Sequence, residues 1–304
     1  MIKKLMLIAK GVAMGAADVV PGVSGGTIAL LTGIYPRLIN AITGLNIHSL
    51  KALAKGQFGK FWQAIDGCFI LPLLIGIASA FLVLAHPIKY AIAAHPIPTW
   101  SFFFGLIIAS AILIIKQMKD KKPLNYLWLI PGVFVGFWIG IQTSIPFGSD
   151  NTAVLIAGML AICAMILPGI SGSFILVLLG MYEVLISAVT NREYSTLFIF
   201  ICGAIIGLIF FSRVIKAVLS KFYQQTLFFL SGLMLGSLTK VWPWEITVHS
   251  HEQGMNHTET ITNVLPMSYP NPMTMTAISM ALFAIVLVFT IEYLGRKLSY
   301  NQSD

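Results

Sequence analysis

The sequence predicts an all-α polytopic membrane protein built as an inverted repeat, each half a re-entrant or broken-helix hairpin plus about three transmembrane helices. Composition, an internal duplication and the placement of loop charges carry that reading. Of 304 residues, 57% are hydrophobic and 10% charged, with a mean hydropathy of +0.87; a soluble chain carries about 25% charged residues. The length allows roughly six to eight spans at about 20 residues each. The net charge of +8 is then read as basic residues held at one membrane face rather than as a nucleic-acid surface.

The duplication lies in PGVSGGTIALLTGIYPRLINAIT (21–43) and PGISGSFILVLLGMYEVLISAVT (168–190). At a constant offset of 147, Pro21/Pro168, Gly22/Gly169, Ser24/Ser171, Gly25/Gly172, Gly33/Gly180, Tyr35/Tyr182, Ile39/Ile186, Ala41/Ala188 and Thr43/Thr190 are identical without a gap. A fainter echo, Gly76/Gly203, Phe102/Phe229, Gly105/Gly232 and Ser110/Ser237, runs at an offset of 127. The first half therefore carries about twenty extra residues between these markers, and a repeat of this kind governs the whole fold.

Loop charges set the orientation. Lys3/Lys4, Lys51/Lys55/Lys60, Lys116/Lys119/Lys121/Lys122, Arg213/Lys216/Lys221 and Arg296/Lys297 form basic groups, while 87–98, 146–151 and 243–272 carry Lys89 alone among Asp150, Glu245, Glu252 and Glu259. The basic groups share one side only if each motif region enters and leaves by the same face. Each half is then a hairpin plus three spans. Three is odd, so the second half is inverted, both termini are cytoplasmic, and the hairpins dip in from opposite faces, as in inverted-repeat transporters.

Taken in order, residues 1–122 form the first repeat. Lys3-Lys4 before an apolar run resembles a signal peptide, but Lys10 breaks the run and the first motif follows at once, so the segment is read as uncleaved. Residues 5–20 are too short and glycine-rich to span; Pro21-Gly22 interrupts them, and a second limb runs from Thr27 to about Ala41, giving a hairpin over 5–43. An amphipathic insert, 44–66, with Phe58, Phe61 and Trp62 among its lysines, reads as an interfacial helix. Spans at 68–86 and 99–116 follow. A connecting span lies within 123–150, its apolar part near 125–145. The second repeat, 151–304, has a hairpin over 152–190 and spans at 195–211, 226–242 and 273–293. Cys68, Cys163 and Cys202 stand singly in apolar runs and read as core residues without a disulfide or metal role.

The motif has a definite chemistry. Gly22, Val23, Ser24, Gly25, Gly26 and Thr27 open a helix after a proline, and Gly169, Ile170, Ser171, Gly172 and Ser173 do so again. Such turns leave backbone N–H groups unpaired, let a ligand approach closely, and sit at the positive end of a helix dipole. Two of them approaching from opposite faces make one central pocket for a phosphate or similar anion. The plainer alternative is that Gly and Ser here only let helices pack closely; duplication with Pro-Gly breaks favours the site. Arg37 is the candidate cation for the phosphate, or else an interfacial arginine with a snorkelling side chain. Asp18, Tyr35, Tyr182 and Glu183 are candidates for coupling or gating, the carboxylates carrying protons or binding a cation, capping helices or pairing with Arg37. A proton or a sodium ion is the candidate coupling partner for these carboxylates.

Gly-x-Ser-Gly also surrounds the nucleophile of rhomboid-type intramembrane proteases. A serine nucleophile needs a base within reach, yet His48, His86, His95, His249, His251 and His257 fall in expected loops or span ends, so hydrolysis is disfavoured and no catalytic residue is assigned. His249, His251, Glu252 and His257 have irregular spacing for a metal site and read as a solvated loop; no metal or cofactor is expected. The chain holds no P-loop for nucleotide use.

At both motifs the sequence resembles the bacterial and archaeal polyprenyl-phosphate transporters, the PopT family. Ala17-Asp18-Val19-Val20-Pro21-Gly22-Val23-Ser24-Gly25-Gly26-Thr27 with Gly33-Ile34-Tyr35 is similar to the family's first signature, and Leu167-Pro168-Gly169-Ile170-Ser171-Gly172-Ser173 with Gly180-Met181-Tyr182-Glu183 to its second. The resemblance covers nearly the whole chain. It implies a cytoplasmic-membrane flippase that returns undecaprenyl phosphate, the spent lipid carrier of cell-envelope synthesis, to the inner leaflet. One position departs from the expected pattern: Pro36 stands directly after Tyr35, where Glu183 follows Tyr182. A transporter or channel for a small soluble anion, phosphate or chloride, is the alternative that the turns also suit.

Overall fold

The computed structural model describes residues 2–20, 23–118, 122–142, 147–148, 150–250 and 258–300. In chain order, α1 (Ile2–Val19) leads through the first motif to α2 (Gly25–Leu31) and α3 (Tyr35–Thr43). Two short helices, α4 (Ile47–Ala54) and α5 (Phe58–Ala64), precede the long α6 (Gly67–Ala94) and α7 (Pro96–Gln117). Next come α8 (Pro123–Tyr126) and α9 (Leu129–Ile141), then α10 (Asn151–Ile166), α11 (Gly172–Leu178), α12 (Tyr182–Thr190), α13 (Tyr194–Lys221) and α14 (Tyr223–Gly236). A 3-10 turn (Ser237–Val241), a ribbon of β1 (Glu245–Ser250) and β2 (Thr258–Asn263), a second 3-10 turn (Pro266–Ser268) and α15 (Thr274–Tyr300) complete the chain.

Among the described residues, five segments are long and apolar enough to cross a membrane: Gly67–Ala94, Pro96–Gln117, Pro123–Ile141, Tyr194–Lys221 and Thr274–Tyr293. The protein is a multi-pass helical membrane protein. Most of these helices turn large apolar side chains outward, among them Leu82, Phe134, Phe198 and Phe283, which is the surface that hydrocarbon rather than water would cover.

Helices pair closely where side chains are small. α1 packs on α6, α10 on α13, α7 on α15 and α9 on α14. A methyl group at Gly76 would run into the Ile8 carbonyl of α1, and one at Gly203 into the Leu155 carbonyl of α10. Close backbone approach of this kind is what small residues permit in membranes. The core gathers on α14, whose Phe228, Leu230, Leu233 and Met234 are buried together with Phe69, Leu73, Ile107, Tyr35 and Ile39.

Three local expectations are corrected. The second limb of the first hairpin is not continuous: α2 ends at Leu31, Thr32 turns its hydroxyl back onto the Ile28 carbonyl at 2.8 Å, and Gly33 takes φ +71° before α3 begins. The second copy breaks at the same place, with Gly180 at φ +66° and a bend of 106° between α11 and α12. A left-handed residue ends a helix, and glycine takes that conformation at little steric cost. The insert 44–66, expected as one helix, is two, separated around Gly56 at φ +71°; Asn46 and Ser49 form a capping box at the start of α4. The acidic loop 243–272 contains the β1–β2 ribbon, antiparallel with Glu245 opposite Asn263.

Candidate functional site

The first turn is closed upon itself. Ser24 caps α2 in an extended conformation, its Oγ accepting from Gly26 N at 3.1 Å. Gly25 N donates to Asp18 Oδ1 at 2.6 Å, and Thr27 N donates to the Ser24 carbonyl at 2.9 Å. The carboxylate thus sits at the positive end of α2, the position a bound anion would take. Val23, Ser24, Gly25, Gly26 and Thr27 are all buried. At the other end of α2, Lys10 Nζ donates to the Thr32 carbonyl at 2.9 Å. Gly22 lies outside the described residues.

The second turn meets the first directly. Gly169, at φ +88°, donates its N–H to Thr27 Oγ1 at 3.0 Å, and Ser24 Oγ reaches the Met165 and Leu167 carbonyls at 3.3 and 3.4 Å. A β-carbon at Gly26 would approach the Ile166 carbonyl to 2.9 Å, so the glycine is what lets the end of α10 close over the first turn. Ser171 makes no capping bond to α11; its hydroxyl pairs with that of Ser173 at 2.7 Å. Ile170 and Ser171 are buried, Gly172 and Ser173 only partly, and no residue of α11 is fully buried.

The sequence candidates therefore fall into three groups. Ser24, Thr27, Gly169 and Asp18 come together in one hydrogen-bonded junction. Ser171 and Ser173 stand beside it. Arg37 does not join them: its side chain is 54% exposed, Nε and Nη2 pair with Asp66 at 2.7 and 3.1 Å, and its guanidinium lies 4.5 Å above the Phe69 ring. That bidentate pair already uses the fork that would grip a phosphate. Tyr35 is fully buried and Tyr182 is 43% exposed. Glu183 lies with Tyr182, Ile186, Ser187, Thr190 and Asn191 along a shallow open groove on α12. His251, Glu252 and His257 lie outside the described residues.

One functional candidate was missed. A narrow cleft beside the second turn is lined by Gly140, Gly169, Ser171, Phe174, Ser237 and Lys240 among others. Lys240 is half-buried, with Nζ 4.4 Å from the centre of the Phe174 ring. Nearby on β1, burial pushes the Glu245 carboxyl up to about 7 while the Lys240 charge pulls the other way. The expected span at 226–242 is shorter than the sequence reads: α14 ends at Gly236, and Lys240 sits on the 3-10 turn that follows it.

Two broken helices meet at a buried polar junction among apolar, span-length helices, and these define a multi-pass helical membrane protein. Residues 14–259 match the family model described as "VCA0040-like: Undecaprenyl phosphate translocase-like". The chain belongs to that family. It is 48% identical over 240 residues, 79% of this chain and 78% of the relative, to a protein of Vibrio cholerae serotype O1 (strain ATCC 39315 / El Tor Inaba N16961) named polyprenyl-phosphate transporter. A Staphylococcus aureus (strain NCTC 8325 / PS 47) protein of the same name is 34% identical over 258 residues, 79% of this chain and 87% of its own. No solved structure matches.

Proposed function

We propose that the protein is a flippase for undecaprenyl phosphate in the cytoplasmic membrane, with both termini cytoplasmic, returning the carrier lipid for reuse in cell-envelope synthesis. Family membership and the names of the two relatives support the substrate. The carrying observation on the mechanism is the junction of the two turns, in which Thr27 of one holds Gly169 of the other.

The reading takes the two repeats as inverted halves, with the element boundaries set out above. Helices α6 and α13 are 28 residues each and start 127 positions apart, matching the glycine echo. α1–α6 then corresponds to α10–α13, and α7–α15 to α14–α9, with α7–α14 as the pair common to both halves. A phosphate group costs several kcal/mol or more to drag through hydrocarbon. The junction offers it glycine amides and serine and threonine hydroxyls instead. Asp18 holds Gly25 N in the meantime, as an internal anion that gives way when the lipid phosphate enters between the turns. Separation of Gly169 from Thr27 opens that space, and rocking of the halves exposes it to each leaflet in turn, while the polyprenyl tail stays in the bilayer. Tyr35, Tyr182 and Glu183 line the surfaces that move, and Glu183 and Asp18 are the groups through which a proton or sodium ion would couple.

The test uses purified protein in liposomes containing undecaprenyl phosphate, following loss of headgroup from the outer leaflet, with Ser24→Ala and Arg37→Ala alongside. Protein-dependent flipping that drops at least about tenfold in Ser24→Ala and only slightly in Arg37→Ala is expected. Flipping no faster than in empty liposomes under proton and sodium gradients, with flux of free phosphate or chloride instead, would replace the lipid reading by the soluble-anion one.

A further inference from the structure

We infer that the α4–α5 insert is a docking surface for anionic phospholipids of the leaflet it faces. The inference goes beyond transport, since it holds whatever lipid the protein carries. Only the assignment of that leaflet to the cytoplasmic side rests on the orientation proposed above.

The chain does not need the insert to close the connection. In the second half, residues 191–193 alone join α12 to α13, whereas residues 44–66 join α3 to α6 in the first. The extra residues fold into α4 and α5, and from Ile47 to Ala64 only Ser49 is buried. Phe58 is 69% and Ile47 61% exposed, and Leu50, Leu53 and Trp62 are exposed beside them. Large apolar side chains clustered in this way, left uncovered by the fold, mark an interaction surface.

Their pattern says what covers them. At about 100° per residue, α4 has three faces. Ser49 and Ala52 share the inward face, the first buried and the second half-buried. Ile47, Leu50, Leu53 and Ala54 share an exposed apolar arc of about 120°. His48, Lys51 and Lys55 form the third face, also exposed. On α5, Phe58 and Trp62 stand one turn apart, with Lys60 on the far side. Apolar and lysine-bearing strips side by side suit helices lying in the plane of a membrane, apolar strip at the acyl boundary and lysines among the headgroups. Tryptophan favours the same depth.

Charge selects the headgroup. No aspartate or glutamate occurs from Val19 to Ile65. The next acid in the chain, Asp66, is taken by Arg37. Among the described residues, Lys51, Lys55 and Lys60 have no ion-pair partner. Uncompensated lysines at a membrane surface attract negatively charged lipid.

The surface is fastened to the rest of the fold at both ends. A β-carbon at Gly44, the C-cap of α3, would run into the Ala64 carbonyl, and one at Gly67, opening α6, into the Trp62 ring. Trp62 Nε1 also donates to Cys68 Sγ at 3.4 Å. A leaflet that grips the insert therefore holds the end of α3 at a fixed depth.

The experiment titrates the full chain with phosphatidylglycerol or phosphatidylcholine of the same acyl chains and reads bound lipid by native mass spectrometry. Phosphatidylglycerol should bind about tenfold more tightly. The triple variant Lys51→Gln, Lys55→Gln, Lys60→Gln should lose that preference and leave phosphatidylcholine binding unchanged. The matching triple change to Arg, and Lys89→Gln on α6, should stay within about threefold of wild type. On the wild-type chain in nanodiscs, adding phosphatidylglycerol to phosphatidylcholine should slow amide hydrogen exchange across 47–64 but not across 258–263, a readout that does not depend on the variants folding. Equal affinity for the two lipids, or a Gln triple variant that keeps its preference, would overturn the inference. Exchange across 47–64 that slows as the protein is concentrated in detergent, with no response to lipid charge, would give the face to a second copy of the chain and overturn it as well. Each of these outcomes leaves the transport proposal standing, because that proposal is read by flipping.

Discussion

The two motif hairpins share their sequence pattern but not their surroundings. In the first, every residue of α2 from Gly25 to Leu30 is buried, and α3 lies against α13, where Lys216 Nζ reaches Thr43 Oγ1 at 3.4 Å. In the second, α11 buries no residue fully and α12 leaves Tyr182, Ile186 and Val189 exposed. The residue matching Lys216 at offset 127 is Lys89 on α6, which is exposed, and among the described residues α6 gives α12 no comparable packing. Turns that share Pro, Gly, Ser and Gly at matching positions thus sit in unlike environments. The difference goes with the neighbours: α3 lies against α13, while α6 gives α12 no comparable packing among the described residues. The first hairpin is the more closely packed of the two.

The largest expected effect is a test of that asymmetry. With Cys68, Cys163 and Cys202 replaced by Ala, the pair Thr43→Cys and Lys216→Cys should be bridged by a short bis-methanethiosulfonate, and bridging should abolish flipping until the two disulfides formed are reduced. The matching pair, Thr190→Cys and Lys89→Cys, should bridge poorly in the unliganded protein and better when polyprenyl phosphate shifts the population. Equal bridging of both pairs at all times would break the comparison.

A smaller effect comes from exchanging one of the residues that differ inside the turns, Gly26 in the first copy and Ser173 in the second. Gly26→Ser should cost about 1–3 kcal/mol by forcing a side chain against the Ile166 carbonyl. Ser173→Gly, which loses a hydroxyl–hydroxyl bond on a partly buried surface, should cost less than about 1.5 kcal/mol. Thermal unfolding in detergent reads both, and a reversal of the order would mean that the second turn is the tighter one.

Much of this was legible beforehand. Composition and hydropathy suffice for the long spans, because lipid imposes length and apolarity directly. The duplication located Ser24, Thr27 and Gly169, which do meet. What the sequence hid was partnership. Arg37 looked available because Asp66 lies 29 positions away, across the insert. Asp18 was readable as a coupling group or a helix cap, and the sequence did not say which; its carboxylate accepts from Gly25 N. The ribbon escaped because a polar loop betrays strand pairing only weakly, and Lys240 escaped because charges were counted by loop.

Asp18 sharpens the comparison further. Asp18→Ala should cost about 1–2 kcal/mol, the loss of a helix cap, and Asp18→Asn less, since an amide oxygen still accepts from Gly25 N. Met165→Ala, at the matching position, creates no unpaired N–H, and Met165 is 40% exposed; its cost should be smaller than that of Asp18→Ala. Chemical denaturation of the reconstituted protein checks the ranking.

The smallest effect falls on the matched tyrosines. Among the described residues, the buried Tyr35 hydroxyl has no hydrogen-bond partner, and an unpaired buried hydroxyl costs about 1–3 kcal/mol. Tyr35→Phe should therefore stabilise the docked first hairpin by about 1 kcal/mol, raise the unfolding temperature and slow flipping by holding that end shut. Tyr182→Phe, on an exposed side chain, should change stability by less than about 0.5 kcal/mol. A destabilised Tyr35→Phe would mean that the hydroxyl gains a partner in the working protein, which moves the origin of the asymmetry from packing to a hydrogen bond at the foot of α3.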